Sequence, residues 1–186
     1  DLGLKPTAAA SSGGIDNVGG PHDYAQALQN KKLLQLLKRK KQLEQENGIL
    51  FYQPHAKQEL FHSAGEIKFR YMRTGNRFGK SEMGAAEDVA FALGERPWLE
   101  KGDPKRYLGI PKHSTKGLII VADWDKAEEI FTCTDEGAGK GKLFKFLPRA
   151  SVLGTERNHS GVICKIRVAC VWGGESTIHL DTIKSF

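Results

Sequence analysis

The chain has 186 residues and carries 28 Lys and Arg against 22 Asp and Glu, a net charge of +6. That length suits one domain with a substantial core plus some appended material, and two full domains would be a squeeze. No apolar run is long enough to cross a bilayer and no signal-peptide layout opens the chain, so a soluble, intracellular protein is expected, and the basic balance favours a polyanionic partner.

Three cysteines, Cys133, Cys164 and Cys170, form no C-x-x-C pair. Their number and spacing argue against a disulfide framework and against a cysteine-rich zinc site. Residues 1–20, "DLGLKPTAAASSGGIDNVGG", are small, Gly- and Ser-rich and without apolar periodicity, and read as a flexible tail. From Tyr24 to Asn47 the pattern predicts a helix, opened by Pro21 and Asp23 and stopped by Gly48, whose Leu33, Leu36, Leu37 and Leu43 should form a face that packs against something. The same helix, within a basic amphipathic segment spanning 21–48, carries Lys31, Lys32, Lys38, Arg39, Lys40 and Lys41. These cations form either an arm facing DNA or a neighbouring subunit, or a solvated face.

Residues 49–186 read as the main domain. "IKFRYMR", Ile67 to Arg73, mixes β-branched, aromatic and basic residues as a strand would. Lys80 to Leu93 follows as a helix, with Met83, Ala86, Val89, Ala90 and Leu93 at helical spacing and Gly94 as its stop. "GLIIVAD", Gly117 to Asp123, is short and continuously apolar, as a buried parallel strand is, and Asp125 to Phe131 begins another helix. The stretches 161–171 and 176–185 alternate as two strands around the turn Trp172 to Glu175. The alternation of strand and helix predicts an α/β fold with a largely parallel sheet.

The stretch "RTGNRFGKS", Arg73 to Ser81, falls between a predicted strand and a predicted helix. It approaches the phosphate-loop pattern G-x-x-x-x-G-K-[ST], except that the first glycine position falls on Thr74 and the nearest glycine, Gly75, comes one residue late. Thr can hold an extended conformation where the turn begins. Backbone N–H groups of Gly75, Asn76, Arg77, Phe78, Gly79, Lys80 and Ser81 can converge on phosphate oxygens at the positive end of the following helix. Lys80 can reach the β- and γ-phosphates and the Ser81 hydroxyl can bind Mg²⁺, so ATP and Mg²⁺ are the expected ligands. A second glycine-rich stretch, "GAGKGK" from 137 to 142, lacks Ser or Thr after Lys140 and reads as a mobile loop.

"YQPHAKQELFH" (52–62), "GNRFGKSEMGAAEDVAFALGERP" (75–97) and "STIHLDTIKSF" (176–186) together resemble the N-terminal ATPase half of the large terminase subunit of tailed double-stranded DNA phages. The resemblance covers roughly Leu50 to Phe186, and the displaced glycine is a mark of such loops. It implies a P-loop NTPase core and a motor that translocates viral DNA into a procapsid. It also implies that Gln58 reads adenine beside an aromatic face from Tyr52 or Phe61, and that Arg77 stands near the γ-phosphate to stabilise transition-state charge. The implied partners are double-stranded DNA, the portal protein, the small terminase subunit and further copies in a ring, in the host cytoplasm and away from membranes.

A motor of this class needs an apolar strand ending in adjacent acids. Asp123 is followed by Trp124 instead of Glu, so it is a poor match. The resemblance places the acidic pair, and a nuclease half, beyond Phe186. Two other readings share these residues: a helicase-like P-loop ATPase, and a basic nucleic-acid-binding or scaffold module with a vestigial loop.

Overall fold

The computed structural model describes residues 21–75, 77–134 and 140–185. The expected tail over 1–20, loop residue Asn76 and positions 137–139 of the second glycine-rich stretch lie outside the described residues. The chain divides into two units, Asp1–Arg39 and Lys40–Phe186.

Helix α1, Pro21–Glu46, forms where the helical pattern predicts it. Its leucines do not make the expected packed face. Leu28, Leu33, Leu34, Leu36 and Leu37 are between 53% and 70% exposed. At about 100° per residue Leu33, Leu36, Leu37 and Leu43 do fall within roughly 120°, with Leu28 and Leu34 outside that arc, but the face they form is exposed. The six cations of α1 are likewise exposed.

In the second unit a 3₁₀ turn, Gly48–Phe51, leads through an extended Tyr52–His55 segment into α2, Ala56–Ser63. Helix α3, Lys80–Leu93, is the central helix; its Ala86, Val89 and Leu93 pack with Ile166, Val168 and Ile178 of the sheet in one core. It ends at Gly94, whose φ of 88° is the left-handed conformation that glycine adopts freely.

The sheet has four strands: β1, Lys116–Val121; β2, Val152–Arg157; β3, Ile163–Ala169; and β4, Glu175–Thr182. Their order is β1-β4-β3-β2. Strands β1 and β4 run parallel, from Lys116 opposite Thr177 to Val121 opposite Thr182. Both other pairs are antiparallel, with Ile166 opposite Ile178 on one side and Thr155 on the other. The fold is therefore mixed α/β, and the sheet is not largely parallel. The cause is connection length: β2, β3 and β4 follow one another through tight turns, which join antiparallel strands, whereas a parallel pair needs a long crossover. Short helices α4, Trp124–Ala127, and α5, Lys142–Phe146, complete the unit, with a π-turn over Glu128–Thr132 after α4. No described helix is long and apolar enough to cross a membrane.

The expected strand Ile67–Arg73 is absent from the sheet. The segment carries no strand ladder, and Phe69 and Tyr71 are 83% and 90% exposed. A side chain holds it instead: Arg70 Nη1 donates to the Phe61 carbonyl and to Glu87 Oε1, each at 2.9 Å. Residue preference for extended backbone was legible; the lack of a neighbouring strand was not.

Candidate nucleotide site

The Gly79-Lys80 step begins α3, so the loop delivers its chain directly onto the positive end of a 14-residue helix. Two residues of the loop take left-handed backbone: Gly79, with φ 82°, and Arg77, with φ 63°. The second is a sparsely populated conformation for a residue with a Cβ. At Gly79 the dihedral calls for glycine, and a Cβ would in addition displace the end of the Gln58 side chain, whose Nε2 lies 2.8 Å from its place. Lys80 Nζ donates to the carbonyls of Thr74 (3.1 Å) and Gly75 (2.9 Å), which draws the ammonium across the loop.

Beside the loop lies a cavity of about 590 Å³, a volume in the range that small-molecule sites occupy. Arg77, Phe78 and Gly79 form one wall. The opposite walls come from Phe51, Tyr52, Gln53, His55 and Gln58, and from Lys145 and Phe146 of α5. Glu82, in the first turn of α3, also lines it and is ion-paired with Lys145.

The N-terminus of α2 is fastened to the loop at two points. His55 Nε2 donates to the Phe78 carbonyl at 3.2 Å, with the two rings edge-on at 4.6 Å. Gln58 Nε2 donates to the Gly79 carbonyl at 3.4 Å, while Gln58 Oε1 accepts from the His55 N–H at 3.0 Å. Gln58 is thus the third residue of a helix start, with its amide turned to backbone at both ends, and only 5% of it is exposed.

Behind the cavity stands a buried polar chain. Tyr52 O–H donates to His62 Nε2 at 3.0 Å, and His62 Nδ1 donates to Glu87 Oε2 at 2.7 Å. Glu87 also accepts from Arg70 and from Arg96, whose Nη2 lies 2.7 Å from Oε1. Burial, then the nearby negative charges of Glu82, Glu87 and Glu59, push the Tyr52 hydroxyl well above the usual tyrosine range. It therefore stays protonated and donates.

Of the residues expected at the site, the cavity gathers Tyr52, Gln58, Arg77, Phe78 and Gly79. Thr74, Gly75, Lys80 and Ser81 follow the loop and helix start outside its lining. Phe61 is not among them: its ring lies under the Arg70 guanidinium at 4.3 Å and lines a separate hollow with Leu60 and Ile67. Asp123 caps α4, accepting from the Lys126 N–H at 2.8 Å, which gives it a local structural role. Phe51, Gln53, His55, Glu82, Lys145 and Phe146 were not legible as site residues. His55 and Gln53 stood in the "YQPHAKQ" stretch, but Lys145 and Phe146 arrive from a distant segment without any motif of their own.

The chain matches no protein-family model, no curated protein and no solved structure.

Proposed function

We propose that this chain is the ATP-binding part of a P-loop motor of the terminase type, which drives double-stranded DNA into a procapsid. The observation that carries the reading is the junction of the Gly79-Lys80-Ser81 helix start with a cavity of nucleotide size walled by aromatic rings and Arg77. A triphosphate entering the loop would exchange the Lys80 ammonium from the Thr74 and Gly75 carbonyls to phosphate oxygens, a charge-assisted contact that is the stronger of the two. Ser81 is the loop's Mg²⁺ ligand in this reading. Mg²⁺ takes few protein ligands and keeps phosphate oxygens and water for the rest, so one hydroxyl in the first turn of α3 fits it. The ion would neutralise charge on the phosphates. Arg77, held in its strained conformation at the cavity wall, would supply a guanidinium near the terminal phosphate.

The proposed partners are DNA, the portal protein, the small terminase subunit and other copies of the chain, met in the host cytoplasm. The test is Mg·ATP-dependent thermal stabilisation of the chain. At a ligand concentration a hundredfold above Kd, the native state gains about 2.7 kcal/mol. Lys80→Ala should lose most of that gain while leaving the unliganded melting temperature near the parent value; equal stabilisation of the two chains would overturn the reading.

A further inference from the structure

We propose that Lys145 of α5 is a positioning residue that cancels the charge of Glu82, so that a polyphosphate can use the start of α3. This rests on the nucleotide reading above, and Lys145 belongs to no part of the phosphate-loop pattern.

A carboxylate in the first turn of a helix suits the positive helix end while no ligand is there. The phosphates of a nucleotide seek that same end. Glu82 stands in the first turn of α3, two residues after Lys80, and lines the cavity. Glutamate and phosphate are then like charges competing for one patch of positive potential, and an uncompensated Glu82 would repel the ligand that the loop attracts. Glu44, which also lines the cavity, faces Lys40 at 3.8 Å.

The partner of Glu82 comes from 63 residues away, where Lys145 Nζ donates to Glu82 Oε1. Backbone fixes its place. The Lys145 N–H donates to the Gly141 carbonyl at 2.9 Å as α5 begins. A Cβ on Gly48 would come within 2.0 Å of the Lys145 carbonyl oxygen, so the chain leading to α2 lies directly against α5 at this residue. Phe146 beside it is 1% exposed, and its ring centroid lies 5.1 Å from the Lys145 ammonium. The two side chains of the pair are 53% and 34% exposed, so their attraction contributes little to folding. Its effect falls on the cavity, where two charges that cancel replace one that repels.

A double-mutant cycle tests this. Mg·ATP would be titrated calorimetrically, at low salt, into the 186-residue chain as the parent, Lys145→Gln, Glu82→Gln and the double variant. Lys145→Gln should weaken binding by roughly tenfold, the scale of one unpaired charge a few ångströms from another in a partly solvated site. Glu82→Gln should bind at least as well as the parent, and adding it to Lys145→Gln should restore the parent affinity, a rescue that a merely structural role for Lys145 would not give. Lys145→Arg keeps the charge and should stay near the parent value. An equal loss from Lys145→Gln with and without Glu82→Gln would show that the ammonium touches phosphate directly and would overturn the proposal, as would no loss in either background. Both side chains reach solvent, so these variants fold. If the parent does not bind Mg·ATP, the nucleotide reading fails and this inference falls with it; if the parent binds and Lys80→Ala does not, while the Lys145 cycle stays flat, the nucleotide reading stands and this inference alone is overturned.

Discussion

Glu87 gathers His62, Arg70 and Arg96 on its two oxygens. Burial alone would raise its pKa, but hydrogen bonds from His62 and Arg96, with the positive charge of Arg96, outweigh burial and hold the carboxyl at about 2. The folded value lies below the unfolded one near 4.5, so the stabilisation is present above that pH and is lost as pH falls toward 2. Glu87→Gln leaves the Arg96 guanidinium, 1% exposed, without its counter-charge. The expected cost is about 3–5 kcal/mol in urea unfolding at neutral pH, and a variant within 1 kcal/mol of the parent would refute the network's importance. Its neighbour Asp88 titrates with the opposite sign. Burial, then the Glu87 charge, raise its carboxyl to about 7 against the partial opposition of Arg70, and Lys116 lines the same small cavity. Here the folded value lies above the unfolded 3.8, so folding favours the protonated acid and stability falls as pH rises from about 4 through 7. Asp88→Asn should therefore raise the free energy of unfolding at pH 8, by on the order of a few kcal/mol at most, and change little at pH 4. No gain at pH 8 would show that the ionised carboxylate is already accommodated.

At the scale of elements, legibility follows how local each cause is. Helix α3 spans Lys80–Leu93 as the spacing of Met83, Ala86, Val89, Ala90 and Leu93 predicts, and it stops at Gly94, because periodicity and a left-handed stop are both written within a few residues. The β3–β4 hairpin was legible for the same reason, with two alternating runs around one glycine turn. Segment 67–73 has equally suitable residues, yet it stays unpaired because a ladder needs a partner that local composition does not specify. Strand β2 was missed since Val152–Arg157 offers only two partly buried positions, Val152 and Gly154, and little alternating pattern to read. The cavity was legible only along the loop and the 52–62 stretch; its α5 wall depends on tertiary packing. A test at this scale is Gly94→Ala. Its φ of 88° resists any Cβ, and the added methyl would lie 2.6 Å from Trp172 Cδ1 and 3.0 Å from Cys170 Sγ. The substitution should destabilise by more than about 1 kcal/mol, since a strained dihedral and a clash add to each other. A melting temperature equal to the parent's would mean that the end of α3 shifts freely.

For the whole molecule, the net charge of +6 and the exposed cations of one helix bear on its partners. The DNA reading rests on α1, where Lys31, Lys32, Lys38, Arg39, Lys40 and Lys41 are exposed on one helix. Of these, Lys40 has Glu44 at 3.8 Å, an exposed pair too weakly held to compete with a polyphosphate backbone. Binding through these cations, which point all round the helix, should be indifferent to base sequence and fall steeply with salt, because each neutralised phosphate releases counterions. Replacing Lys38, Arg39, Lys40 and Lys41 by Gln keeps helix propensity nearly unchanged and removes four charges. Successive positions lie about 100° apart around the axis, so only some of the four can face one duplex; the slope of log K against log salt should fall by about 0.9 for each that meets a phosphate, and duplex affinity at low salt should drop with it. Fluorescence anisotropy of a labelled duplex from 50 to 200 mM salt measures both. An unchanged affinity and slope would make these cations a solvated surface.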